Sequence, residues 1–208
     1  MKKIIPITSL FLDIGGVLLT NGWDHHARRR AAKQFKLDWA EMEQRHGLNF
    51  ETHEEAKITF NEYLDRVVFF KKRPFTRAVF RSFMFAQSKP VAGMIELVRN
   101  LKARYGLKII VVSNESRELN SHRISNFKLA GFVDAFISSC YVHLRKPDTD
   151  IFKLALDIAQ TPARQIVYIE NTPLFVQIAE GFGIRGILHT DYKSTCARLA
   201  AFGLEVAR

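Results

Sequence analysis

Three apolar runs of this chain each end in polar side chains, and these are the residues placed to do chemistry. Ser9-Leu10-Phe11-Leu12 leads into Asp13, followed by Ile14, Gly15 and Gly16. Residues 107–112 lead into Ser113-Asn114, and residues 165–169 into Glu170-Asn171. An apolar run of this length bounded by Gly reads as a buried strand of a parallel sheet. Open α/β sheets bind their ligands outside the carboxyl ends of their strands. Asp13 stands at such an end, where the two glycines let the backbone come close to a ligand. The same Asp-Gly pairing also suits a plain surface turn.

The elements that position these groups follow from periodicity. Helical spacing predicts helices over 23–36, 38–47, 52–70 and 75–87, with Asp38/Glu41 and Thr52/Glu55 spaced as capping boxes. Phe60, Tyr63, Leu64, Val67 and Val68 are expected in a core. From Lys89-Pro90 the rhythm changes. Helices are expected at 91–104, 115–129, 148–160, 172–182 and 194–202, alternating with strands at 107–112, 135–139, 165–169 and 186–189. That alternation implies an α/β fold, a Rossmann-like parallel sheet with right-handed crossovers and helices on both faces. The expected division is a core of residues 1–19 and 89–208, interrupted by an all-helical insertion of residues 20–88.

With 208 residues the chain can bury a substantial core. At 47% hydrophobic and 25% charged it has the composition of an ordinary globular protein. No run reaches the ~18 apolar residues of a transmembrane helix. The basic start, Met1-Lys2-Lys3, precedes a segment broken by Pro6 and Asp13, which reads as a strand rather than a signal peptide. Cys140 and Cys196 lack metal-ligand spacing and are expected as reduced thiols of a cytoplasmic protein. The net charge of +10 is spread along the chain without a nucleic-acid-binding signature, so a solvated basic surface is expected, with no nucleic acid or membrane partner. Oligomeric state is not readable.

Four segments, in order and across nearly the whole chain, resemble the haloacid dehalogenase superfamily of aspartate-nucleophile hydrolases. They are Leu10 to Val17 around Asp13, Ile110-Val111-Val112-Ser113-Asn114, Lys146-Pro147-Asp148 with Ile151-Phe152, and residues 166–171 with Ala179 and 181–184. The resemblance implies a phosphatase of a small phosphorylated metabolite. Asp13 would attack phosphorus and form an aspartyl-phosphate. Ser113 and the Asn114 amide, at a helix start, would bind phosphoryl oxygens, and Lys146 would offset the crowded charge. Mg²⁺ would be held by Asp13, the Gly15 carbonyl, Glu170 and Asn171. The insertion would act as a helical cap that excludes large substrates.

Two positions depart from the family pattern. Gly15 stands where the phosphatases carry a second Asp that transfers protons, and Asn171 where they carry an acidic metal ligand. Asp24, His25 and His26 are candidates to replace the missing acid, but they fit a capping Asp and two exposed His at a helix start. Trp23 and Arg28 to Arg30 are expected as packing and solvated surface. His46, His53, His122, His143 and His189 lack metal-ligand spacing. The departures keep two alternatives open: a metal-independent dehalogenase-type hydrolase, in which Asp13 attacks carbon, and a binding or regulatory protein without turnover.

Overall fold

The computed structural model describes residues 5–205, so the basic Met1-Lys2-Lys3 start lies outside the described residues. Five strands, β1 (Ser9–Leu12), β2 (Lys108–Ser113), β3 (Ala135–Ser138), β4 (Ile166–Glu170) and β5 (Arg185–Leu188), form one parallel sheet in the order β3-β2-β1-β4-β5. The helices before β2 are α1 (His25–Gln34), α2 (Trp39–Gly47), α3 (Phe50–Glu54), α4 (Phe60–Val67), α5 (Arg77–Phe85) and α6 (Met94–Tyr105). After it come α7 (Arg117–Asn126), α8 (Ser139–Val142), α9 (Asp150–Ala159), α10 (Pro173–Gly181) and α11 (Tyr192–Ala201). No helix among the described residues is long and apolar enough to cross a membrane.

Strand β1 is central and buried on both faces, which is why its sequence is apolar without alternation. Successive side chains point to opposite faces. Leu10, Leu12, Ile109, Val111, Val167 and Ile169 pack with Leu97, Val98 and Leu101 of α6 and Leu199 of α11. Phe11, Ile110, Val112, Ile166 and Tyr168 pack with Ile151, Phe152 and Ala155 of α9 and Ala179 of α10. The pairing Phe11↔Tyr168 puts these two side by side, and the polar ends of β1, β2 and β4 meet at one edge.

Helices α1 to α5 gather around a hydrophobic cluster of their own. It contains Ala31, Met42, Phe60, Tyr63, Leu64, Val67, Phe80 and Met84. The predicted helix over 52–70 does not exist as one element. Ala56 adopts a left-handed conformation (φ +53°), and the chain restarts at Thr59. Thr59 accepts from the Glu62 N–H (3.2 Å) while its own N–H donates to Glu62 Oε2 (2.7 Å), so the capping box is Thr59/Glu62, not Thr52/Glu55. The chain leaves and re-enters the sheet side by side: Thr20 N donates to Lys89 O (2.8 Å) and Lys89 N to Thr20 Oγ1 (3.0 Å).

Candidate active site

Asp13, one residue past β1, and Glu170, the last residue of β4, meet through Lys146. Lys146 Nζ donates to Asp13 Oδ1 (3.0 Å) and Glu170 Oε2 (2.6 Å) and lies 3.0 Å from the Tyr168 hydroxyl. Tyr168 in turn donates to Glu170 Oε2 (2.6 Å). Glu170 Oε1 accepts from the N–H groups of Asn171 (2.8 Å) and Thr172 (2.9 Å). Both oxygens of Glu170 are thus engaged by four donors, and the residue is fully buried. This differs from the expectation that Glu170 turns an oxygen toward a metal; its geometry is that of an anchor for Lys146. Sequence reasoning missed Tyr168, whose alternation places it on the same face as Glu170.

Lys146 is fixed from β2 as well. Asn114 clamps its backbone twice, with Nδ2 donating to Lys146 O (2.8 Å) and Oδ1 accepting from Lys146 N (2.8 Å). Asn114 is not at a helix start, because α7 begins three residues later with Ser116 in the N-cap conformation. The intervening Glu115 turns inward to a buried ion pair with Arg123, which also reaches Ser88 Oγ (3.0 Å) and the Thr20 carbonyl (3.2 Å). Ser113 Oγ lies 3.4 Å from both Ile14 N and Glu115 Oε1. These contacts are at the long limit, and the same hydroxyl faces Asp13.

Gly15 and Gly16 have distinct tasks. Gly16 has φ +74°, and a Cβ there would lie 2.1 Å from Asn171 Nδ2. A Cβ at Gly15 would meet nothing closer than Asn21 Oδ1 at 3.4 Å. One edge of the Asn171 amide lies 2.9 Å from Glu170 Oε1 and 3.2 Å from the Gly15 carbonyl oxygen. With nitrogen on that edge the amide donates to both. That orientation satisfies both acceptors; turned the other way, the amide presents its oxygen beside the Gly15 carbonyl, the kind of ligand a hard cation takes. No group of three or more His, Cys, Asp or Glu side chains among the described residues forms a metal cluster.

A cavity of about 320 Å³ opens over Asp13, Gly15, Lys146 and Asn171. Its outer wall comes from the segment between β1 and α6: Trp23, His46, Phe50, His53, Glu54 and Tyr63. The Tyr63 hydroxyl accepts from Trp23 Nε1 (2.8 Å) and meets His46 Nδ1 (2.8 Å), while its ring stacks on His53 at 4.3 Å. His46 and His53 thus line the site, although no spacing in the sequence pointed to them. Asp24 caps α1 by accepting from Ala27 N (2.7 Å), and His25 and His26 are exposed, as their position suggested. Arg28 departs from the expected solvated role: it is buried against Glu43, its Nη2 donating to Oε2 (3.0 Å), and reaches the Trp23 carbonyl (2.8 Å).

Burial pushes Asp13 up to about 7, and the charge of Glu170 adds to this, against Lys146 and the Ser113 hydroxyl. Burial alone would lower Lys146, but Asp13 and Glu170 hold it above its ordinary value, so it stays charged. Burial likewise lowers His46 to about 3, with the charge of Arg28 adding to it. It takes His53 to about 4. Both imidazoles are neutral at pH 7. The site therefore offers a buried carboxyl group that titrates near neutral pH, touching a lysine that stays charged, beneath a wall that carries no imidazolium.

Comparisons with known proteins agree with the fold. The family model for haloacid dehalogenase-like hydrolases matches residues 7–183. A search of curated proteins finds no match. Among solved structures, a HAD family enzyme from Bacteroides thetaiotaomicron superposes with TM-score 0.75 at 17% identity, covering 90% of this chain and 95% of that one. It has also been crystallised with magnesium and inorganic phosphate. A predicted HAD-like family hydrolase from Porphyromonas gingivalis gives TM-score 0.76 at 16% identity, covering 97% and 100%. L-2-haloacid dehalogenase from Xanthobacter autotrophicus, with chloropropionic acid covalently bound, gives 0.62 at 13% identity, covering 96% and 85%.

Proposed function

This chain belongs to the haloacid dehalogenase-like hydrolases, and on that premise we propose that it is a Mg²⁺-dependent phosphatase of a small phosphorylated metabolite, working through an aspartyl-phosphate on Asp13. The observation that carries the reading is the Asp13–Lys146 pair, 3.0 Å apart, on a cavity that Gly15 and Asn171 also line. Asp13, the Gly15 carbonyl and the Asn171 amide oxygen would hold Mg²⁺, while Glu170 stays with Lys146. When bound, the ion supplies positive charge for a phosphoryl oxygen.

The chain's own residues do the rest. Asp13 attacks phosphorus, and Lys146 offsets the charge gathered between nucleophile and phosphoryl group. The Ser113 hydroxyl donates to a phosphoryl oxygen. The wall of Trp23, Phe50 and Tyr63 acts as the cap: it limits the organic part of the substrate to the cavity's volume and keeps out bulk water. Helices from residues 20–88 would thus serve as a cap domain on a core of 1–19 and 89–208. Free Cys140 and Cys196 fit a reducing, cytoplasmic setting.

In the dehalogenase alternative Asp13 would attack carbon and release halide without a metal.

Release of nitrophenolate from p-nitrophenyl phosphate, with and without Mg²⁺, tests the proposal. Turnover that requires Mg²⁺ and disappears in Asp13→Asn is the expected result. Halide release from a 2-haloacid without metal, or no turnover at all, would overturn it.

A further inference from the structure

Gly15 leaves the phosphatase chemistry without the group that protonates a leaving alkoxide, and the cavity contains one carboxylate suited to take its place. Glu54 ends α3 and lines the same cavity as Asp13 and Lys146. It comes from the helical layer but is fixed to the sheet side. Ser139 Oγ donates to its carbonyl (2.8 Å), and His143 Nδ1 meets the carbonyl of the next residue, Glu55 (2.7 Å). Arg145, adjacent in sequence to Lys146, donates to Glu54 Oε2 from Nε (3.2 Å) and Nη2 (3.0 Å) and turns Nη1 to Glu51 (3.0 Å). Oε1 makes no hydrogen bond among the described residues.

The other carboxylates of the cavity are committed. Asp24 caps α1, Glu115 is paired with buried Arg123, Glu170 is saturated by four donors, and Asp13 is the nucleophile. Burial raises Glu54 above its ordinary value in spite of Arg145, which favours the protonated form.

We propose that Glu54 is the proton-transfer residue of this site and that the substrate class it serves is a phosphate monoester of an aliphatic alcohol, whose alkoxide cannot leave unprotonated. The inference rests on the phosphatase reading. In the first step Asp13 Oδ forms a bond to phosphorus, the bond from phosphorus to the ester oxygen breaks, and the Glu54 carboxyl proton passes to that oxygen. In the second step the Glu54 carboxylate takes a proton from water, whose oxygen bonds to phosphorus as the bond to Asp13 breaks. Inorganic phosphate leaves, Asp13 is again a carboxylate, and Glu54 is again protonated.

The test compares wild type and Glu54→Gln with Mg²⁺ on p-nitrophenyl phosphate, a good leaving group, and phenyl phosphate, a poor one. The variant is expected to lose about 100-fold or more in kcat/KM on the phenyl ester and little on the nitrophenyl ester. With the latter it should show a burst of nitrophenolate followed by slow turnover, because water attack has lost its base. Gly15→Asp added to Glu54→Gln should restore the phenyl ester reaction; this second variant also guards against a folding defect in the first. Equal losses on both esters without a burst, or no loss on either, would overturn the assignment while leaving the phosphatase intact. A wild type with no Mg²⁺-dependent turnover would overturn both readings.

Discussion

Glu170 holds Lys146 at 2.6 Å, closer than Lys146 stands to Asp13 at 3.0 Å. The shorter bond of the lysine therefore goes to the fully buried carboxylate, and its orientation toward Asp13 is set from behind, by β4. Removing one partner of a buried pair leaves an uncompensated charge, which costs far more than the pair contributes net.

Glu170→Ala should therefore destabilise the fold by about 3–5 kcal/mol, read as a lower urea midpoint, and reduce turnover as Lys146 loses its direction. Tyr168→Phe, which removes one hydrogen bond to the same oxygen, should cost only about 1 kcal/mol. Equal costs in the two variants would contradict the anchor role of Glu170.

The two glycines should respond oppositely to a side chain. Gly16→Ala places a Cβ 2.1 Å from Asn171 Nδ2 at φ +74°, so Asn171 must move and activity should fall to background. Gly15→Ala meets only a 3.4 Å contact and should keep its fold and most of its activity. Thermal melting and nitrophenolate release measured on both variants check this contrast.

Asn171→Asp adds a negative charge where the amide now lies 2.9 Å from Glu170 Oε1. Without metal the two carboxylates repel, so the melting temperature should drop. With Mg²⁺ the added charge should lower the half-saturating metal concentration about tenfold. A metal titration that does not shift would remove Asn171 from the proposed ligand set.

His46 and His53 give the chain an acid-sensitive wall. Their folded values, about 3 and about 4, lie below the ordinary 6.5. As pH falls below 6.5 the unfolded chain binds protons that the folded chain refuses. Their stabilisation is complete above pH 6.5 and is lost on acidification, down to about 4 for His53 and about 3 for His46. His53→Phe keeps the stack on Tyr63 and should flatten the pH dependence of stability between these limits by about one proton, roughly 1.4 kcal/mol per pH unit. Urea midpoints at pH 6.5 and 4.5 measure it.

Much of this was legible in the sequence because strand ends are local features. Asp13, Ser113, Asn114 and Glu170 follow apolar runs directly, and a parallel sheet brings such ends to one edge. The cavity wall was not legible. Glu54, His53 and Tyr63 reach the site from helices whose position depends on packing, and neither spacing nor composition encodes that. The break between α3 and α4 was hidden for a different reason. Two Thr/Glu pairs share capping-box spacing, and only the left-handed turn at Ala56 decides that Thr59 begins the helix. Arg28 reads as a surface charge until Glu43, from another turn of the chain, neutralises it.

The hydrogen bonds joining Thr20 to Lys89 close the stem through which the helical insertion leaves and re-enters the sheet side. Ser139, His143 and Arg145 hold the insertion a second time, at Glu54, Glu55 and Glu51. Asp13, Ser113 and Lys146 stand outside the interval from Thr20 to Lys89 and Glu54 stands inside it. On the proposed chemistry, a graft at this stem would replace the cavity wall and the proton-transfer residue together and leave the nucleophile in place.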